Sequence, residues 1–239
     1  DVHEAPAPDF VRRSMQDNDT QAAHVGTAMV GGAAGATSTA GGRLYSVKLL
    51  RRSALFPLKT GDLDIGAMTV VVNKTRSANG IRTSEALKVH VTDAPAAGKP
   101  PGFVPGTVGK MELAAEVSPR ETPAGGAVAI TVDLAGTGNL PASLALPTMD
   151  GVEWLEPQIR EKLGAQGERY GGKRTFSYVV KLFKEGTTDL GEIAIPFYNP
   201  ESSAYDVARV ALGSVRVTPG VVDRTTPDAP KALADLPAP

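Results

Sequence analysis

General acid-base or metal chemistry would show first at histidine, and the chain has three, His3, His24 and His90. They stand far apart, and none has a partner at a ligand spacing such as His-x-x-x-His. No Gly-x-Ser-x-Gly marks a serine nucleophile. Cysteine is absent, which removes disulfides, thiolate zinc sites and cysteine nucleophiles together. Asp62 with Asp64, and Glu153 with Glu156, have the form of paired carboxylates, but acids spaced along a strand or loop usually face solvent. A Ser/His/Asp triad would have to be assembled by folding alone. The chain is therefore expected to be no enzyme and to need no cofactor or metal.

Two glycine-rich stretches invite a phosphate-binding reading. Gly31-Gly32-Ala33-Ala34-Gly35 has no following Gly-Lys-Ser/Thr and no strand-to-helix context, and reads better as a mobile loop. Gly136-Thr137-Gly138-Asn139-Leu140-Pro141 lacks the third glycine and the helix of a dinucleotide site. A tight turn between strands is the expectation there, since Gly and Asn tolerate positive φ.

One segment is a candidate surface for binding. Asp150-Gly151-Val152-Glu153-Trp154-Leu155-Glu156-Pro157 carries the only tryptophan. Trp154 either plugs a sandwich core, which is the preferred reading, or sits at a rim ringed by Asp150, Glu153 and Glu156 as an interface hot spot. Replacing Trp154 by Ala would separate the two, by loss of folding or by loss of partner binding alone.

These residues must be positioned by strands. Met111, Leu113, Ala115 and Val117 alternate with polar or small residues, as do Val128, Ile130, Val132 and Leu134; period two is the mark of a half-buried strand. Further β-rich runs are Leu44 to Leu55, Met68 to Val72, Leu87 to Val91, Phe176 to Leu182, Ile193 to Phe197 and Val210 to Val217. Gly and Pro punctuate them at the spacing of a sandwich, and helical periodicity is hard to find.

The 239 residues suffice for one large domain or two of about 100 residues each. Lys plus Arg number 25 against 26 Asp plus Glu, so no large field draws the chain to nucleic acid or to an anionic membrane. No stretch approaches the roughly 18 apolar residues of a membrane helix, and Asp1-Val2-His3-Glu4 does not begin a signal peptide.

An internal echo favours two domains. Arg43 to Val47 followed by Ala54-Leu55-Phe56-Pro57-Leu58-Lys59-Thr60-Gly61-Asp62-Leu63-Asp64-Ile65-Gly66 returns as Arg174 to Tyr178, then Val180-Lys181-Leu182-Phe183-Lys184-Glu185-Gly186, then Asp189 to Pro196. Each copy closes on a similar strand, Thr83 to Val91 and Ala208 to Val217. The plan of strand, Lys-x-Gly turn, strand and closing strand is used twice. The expected organisation is a first β-sandwich over 1–94, a Pro-rich semi-extended linker over 95–105, a second β-sandwich over 106–218 and a Pro/Ala-rich tail over 219–239. Before Arg43 only an irregular stretch and the Gly/Ala/Ser-rich run Gly31 to Gly42 are visible. The leading strands of the first domain are expected to lie outside this chain, or Val25 to Val30 supplies an edge strand. The fold class is thus all-β, as two tandem immunoglobulin-like β-sandwich domains.

The second half then resembles a known family. Val108 to Leu113 leads into Val117-Ser118-Pro119, Ala124 to Val128 and Gly136 to Pro141; Lys173 to Tyr178 and Ile193 to Pro200 follow before Ala204-Tyr205. This order is similar to the BatD, or aerotolerance-type, family of bacterial proteins over most of Gly106 to Val217. Ser53 to Ile65 also fits that family's Phe/Tyr-Pro-x-Lys-x-Gly-x-Leu-x-Ile pattern, whereas the second copy has Leu182-Phe183-Lys184 where a proline is expected. The resemblance implies a protein anchored in the membrane outside this chain, with its β-sandwiches in the periplasm, working with a MoxR-type ATPase and von Willebrand factor A domain partners in stress or oxygen tolerance. Such partner domains often hold a divalent ion completed by a carboxylate from the other protein, since hard cations favour oxygen ligands. Asp150, Glu153 and Glu156 are the candidate donors. The alternative is a carbohydrate-binding or adhesive sandwich of the cell envelope, against which stands the strand placement of Tyr45, Phe56, Phe176, Tyr178, Phe183, Phe197 and Tyr198.

Overall fold

A computed structural model describes residues 2–15, 36–40, 43–47, 51–72 and 80–220. These residues form strands and no helix, so the all-β expectation holds. The first nine strands are β1 (Val2–His3), β2 (Phe10–Ser14), β3 (Ala36–Ala40), β4 (Arg43–Val47), β5 (Ser53–Pro57), β6 (Gly61–Ile65), β7 (Thr69–Val72), β8 (Gly80–Thr83) and β9 (Leu87–Val91). They are followed by β10 (Gly109–Ser118), β11 (Glu121–Pro123), β12 (Gly126–Gly138), β13 (Val152–Trp154) and β14 (Gln158–Gln166). The last five are β15 (Arg169–Leu182), β16 (Gly186–Asp189), β17 (Glu192–Asn199), β18 (Ala204–Ala211) and β19 (Ser214–Thr218).

No ladder among the described residues joins a strand before Val91 to one after Gly109. The second set is a two-layer sandwich. One layer runs β10-β12-β15-β13, with β14 also on β15; facing it are β11-β19-β16 and the hairpin β17-β18. Alternation decides which side chains meet between them. Val128, Ile130, Val132 and Leu134 of β12 and Phe176, Tyr178, Val180 and Leu182 of β15 point inward with Ile193, Ile195, Phe197, Val215 and Val217 from the other layer. Phe176, Ile130, Val132, Leu134, Val180 and Leu182 have no measurable exposure, and each such side chain contributes about 1.5–3 kcal/mol by leaving water.

Part of the repeat seen in the sequence returns as pairing, but Arg43–Val47 is β4 and pairs β3, whereas Arg174 to Tyr178 lies in β15 between β12 and β14. In the first set β2 pairs β5, β6 pairs β9 and β7 pairs β8, all antiparallel. In the second, β12 pairs β15, β16 pairs β19 and β17 pairs β18, again antiparallel. The two differ at their openings, where β1 joins β7 but β10 joins β12.

Several expectations need correction. Gly136 to Gly138 is no turn but the end of β12, paired with Gly109 to Met111. Gly136 and Gly138 take φ of 159° and 102°, and a Cβ on Gly138 would overlap the Val108 carbonyl, so glycine here lets two backbones close together inside a ladder. The irregular stretch before Arg43 holds β1 and β2, and Ala36–Ala40 in the Gly/Ala/Ser-rich run is β3. Val25 to Val30 and Gly31 to Gly35 lie outside the described residues, as does most of the tail. Val210 to Val217 is two strands, because the chain leaves β18 at Leu212-Gly213 (φ 72° at Gly213) and changes sheets.

The Pro-rich segment 95–105, expected to be a linker, makes contacts with β18. The Tyr205 hydroxyl donates to the Pro95 carbonyl at 2.6 Å, Phe103 meets Tyr205 edge-on with centroids 5.0 Å apart, and Lys99 lies 5.4 Å over the Phe103 ring. The Tyr198 amide then donates to the Thr107 carbonyl at 3.0 Å. Proline-rich segments lack donors for a ladder, so the Tyr205 side chain does most of the holding of 95–105.

Candidate interaction surface

Strand β15 is apolar on both faces where Tyr178, Val179 and Val180 run together. Its even-numbered residues fill the core, so the odd ones point outward. Val179 is 45% exposed and Phe183, just past the strand, 53%. Strand β13 lies along the same edge with Glu153 opposite Lys181 and Trp154 opposite Val180. The Leu155 amide donates to the Val179 carbonyl at 3.0 Å and the Phe183 amide to the Gly151 carbonyl at 2.9 Å. Residues directly opposite in an antiparallel ladder share a face, so Leu155, Val179 and exposed Ala129 form one outward row. Lys181, Glu153 and Ala127 form the next, and Phe183 closes the strip.

The sequence candidates divide on this geometry. Asp150, Glu153 and Glu156 are exposed around the strip: Asp150 in the turn before β13, Glu153 on its outer face, Glu156 just after it. Trp154 points the other way. It packs against the core and meets Tyr178 edge-on, centroids 5.4 Å apart and planes at 90°, and its indole N–H is buried with no acceptor. The tryptophan is a core side chain and the acids are a surface feature. Burial pushes the Tyr178 phenol above its ordinary pKa. What the sequence reading missed is the apolar strip of Leu155, Val179 and Phe183; the unalternated Tyr178-Val179-Val180 was its signal.

Pro157 gives the strip its boundary. Strands β13 and β14 occupy the same edge of β15, at residues 180–182 and 169–177. The break between them falls at Glu156-Pro157, where a missing N–H stops continuous pairing.

Compared with known proteins, the chain matches no family model, no curated protein and no solved structure.

Several polar groups away from the strip are spent on structure. Asp62 receives a 2.6 Å hydrogen bond from His90 Nδ1, and Lys88 lies 3.8 Å from Asp64. These are cross-strand pairs of β6 and β9 on a solvent face, with the His90 contact holding the Asp62 carboxyl below its usual range. His3 is exposed in β1, and His24 lies outside the described residues. No group of three His, Cys, Asp or Glu that could hold a metal occurs among the described residues. Arg174, 5% exposed, donates from Nε to Glu161 Oε1 at 2.8 Å and from Nη1 to the Leu140 carbonyl at 2.9 Å, with a further bond to the Pro141 carbonyl. It ties the chain leaving β12 to the sheet interior. Of the aromatics weighed as a sugar platform, Phe176, Tyr178 and Phe197 are buried and Phe56 meets Tyr170 edge-on at 5.6 Å, whereas Phe183 lies past the end of β15 and is exposed, against the expected strand placement.

Proposed function

We propose that this chain is a non-enzymatic protein-interaction module of the bacterial cell envelope: the periplasmic, tandem immunoglobulin-like portion of a BatD-like membrane-anchored protein. Its partners are von Willebrand factor A domain proteins acting with a MoxR-type ATPase in stress or oxygen tolerance. The observation that carries the reading is the outward strip of Leu155, Val179 and Phe183 with Asp150, Glu153 and Glu156 around it. An apolar centre with a charged rim is the anatomy of a binding patch. The acids also supply hard oxygen donors to a partner's divalent ion.

The test is capture of a von Willebrand factor A domain by the chain, with and without EDTA, using Val179→Lys, Phe183→Lys and the triple change Asp150→Asn, Glu153→Gln, Glu156→Gln. Loss of capture in the two lysine variants supports the strip, and loss in the triple variant and in EDTA supports metal bridging. Binding indifferent to chelation would remove the bridge and leave the scaffold. Capture unchanged by all of the substitutions would move the interface elsewhere.

A further inference from the structure

A depression of about 260 Å³ on the first set of strands is lined by Glu4, Arg12, Ser14, Arg51, Arg52 and Ser53. The register of β2 on β5 creates it. Ser14 lies opposite Ser53, and the Met15 amide donates to the Arg52 carbonyl at 2.9 Å, which brings the pairs Arg12-Arg13 and Arg51-Arg52 to the same end of one ladder. Among the described residues of the depression three guanidinium groups face a single carboxylate, in a chain whose formal net charge is −1.

The one acid is already shared. Arg12 Nη1 donates to Glu4 Oε2 at 2.7 Å, Arg51 Nη1 donates to Glu4 Oε1, and Arg12 Nη2 donates to the Ala5 carbonyl. These bonds hold the Glu4 carboxyl below its usual pKa, the Arg51 contact first and the Arg12 contact second. Arg52 lines the depression half-buried and has no ion-pair partner among the described residues. Arg12, Arg51, Arg52 and Ser53 carry donors, and guanidinium forks match tetrahedral oxyanions in spacing and direction.

We propose that this depression is an oxyanion site that takes a phosphate- or sulfate-type group, with Arg12 and Arg51 oriented by Glu4 and Arg52 supplying the uncompensated charge. The source is either a free anion or the phosphate of an anionic lipid headgroup; the chemistry recognised is the same. Glu4 then acts as both brace and competitor. Removing its charge while keeping its shape frees donors for the ligand.

The experiment is titration of the folded chain with inorganic phosphate at low ionic strength. It follows the arginine side-chain N–H signals by NMR in the wild type, Arg52→Ala and Glu4→Gln, with circular dichroism to verify folding. Saturable shifts at Arg12, Arg51 and Arg52 are expected, weakened roughly tenfold by Arg52→Ala, the scale of one charge-assisted bond, and strengthened by Glu4→Gln. A purely structural ion pair predicts no tightening in Glu4→Gln. Vesicles of phosphatidylglycerol and of phosphatidylcholine separate the sources: Arg52-dependent binding to the first alone assigns a headgroup, while phosphate binding without vesicle binding assigns a free anion. Shifts that do not saturate, or that are the same in Arg52→Ala, would overturn the site.

Discussion

Gly61 and Gly186 hold the same place in the two halves of the chain. Each opens a short strand with left-handed φ, 103° and 109°, and each faces a valine of a closing strand, Val91 and Val217. Each also follows a Lys-x pair with an exposed apolar residue before it, Leu58 or Phe183. The second copy's lost proline therefore leaves the turn intact, because glycine and not proline sets the backbone there. A Cβ at either position would meet nothing within 4 Å, so Gly61→Ala and Gly186→Ala should cost only backbone strain. Each is expected to lower stability by about 1–3 kcal/mol, read from denaturant unfolding. Two near-equal losses would support a shared turn; no loss in one would mean that copy tolerates another backbone path.

Trp154 makes a second test. Its ring packs on Tyr178 while its N–H finds no acceptor. Trp154→Phe keeps an aromatic face and removes the orphan donor, and should fall within about 1 kcal/mol of the wild type. Trp154→Ala opens a gap beside the core and should cost about 3 kcal/mol. Unfolding midpoints decide it; wild-type stability in the alanine variant would return Trp154 to the surface.

The fold was legible where burial is one-sided. Strands β10, β12 and β17 bury one face, and their alternation is written in Met111 to Val117, Val128 to Leu134 and Ile193 to Phe197. Strand β14 left no such trace. Gln158 to Gln166 lies at an edge, half of it exposed on both faces, so Arg160, Glu161 and Lys162 had no period to obey. Glycine misled at Gly136-Thr137-Gly138 because a residue that permits turns also permits two strands to crowd. For the surface, acids could be counted in the sequence. Trp154 in the core is the preferred reading of the sequence and the structure agrees, but which residues share the outward face with Val179 follows only from the register on β15.

The contacts of Tyr205 with segment 95–105 predict a measurable rigidity. Tyr205 holds Pro95 by its hydroxyl and Phe103 by its ring, and stacks edge-on with Tyr198 at 5.2 Å. Tyr205→Phe removes one bond and should change little. Tyr205→Ala removes the ring as well and should speed proteolysis within 95–105 roughly tenfold, as a local opening made easier by about 1.4 kcal/mol would. Cleavage at an unchanged rate would mean the segment is held by other contacts.

Asp133 carries the pH dependence of the outer sheet face. Burial alone would raise its carboxyl pKa. Hydrogen bonds from Lys173, whose Nζ lies 2.7 Å from Oδ2, and from the Thr175 hydroxyl at 2.6 Å outweigh burial and leave the pKa lowered. A carboxyl more acidic in the folded than in the unfolded chain binds fewer protons when folded, so its contribution is complete above the unfolded value of about 3.9. It is lost as pH falls through the folded value. Asp133→Asn should therefore be less stable than the wild type at neutral pH, by about 1 kcal/mol or less for a pair this near the surface. That deficit should shrink below about pH 4 and vanish at lower pH. Thermal unfolding of both proteins from neutral to strongly acid pH reads the difference, and a deficit that stays constant across that range would show that Asp133 acts through shape and not through its charge.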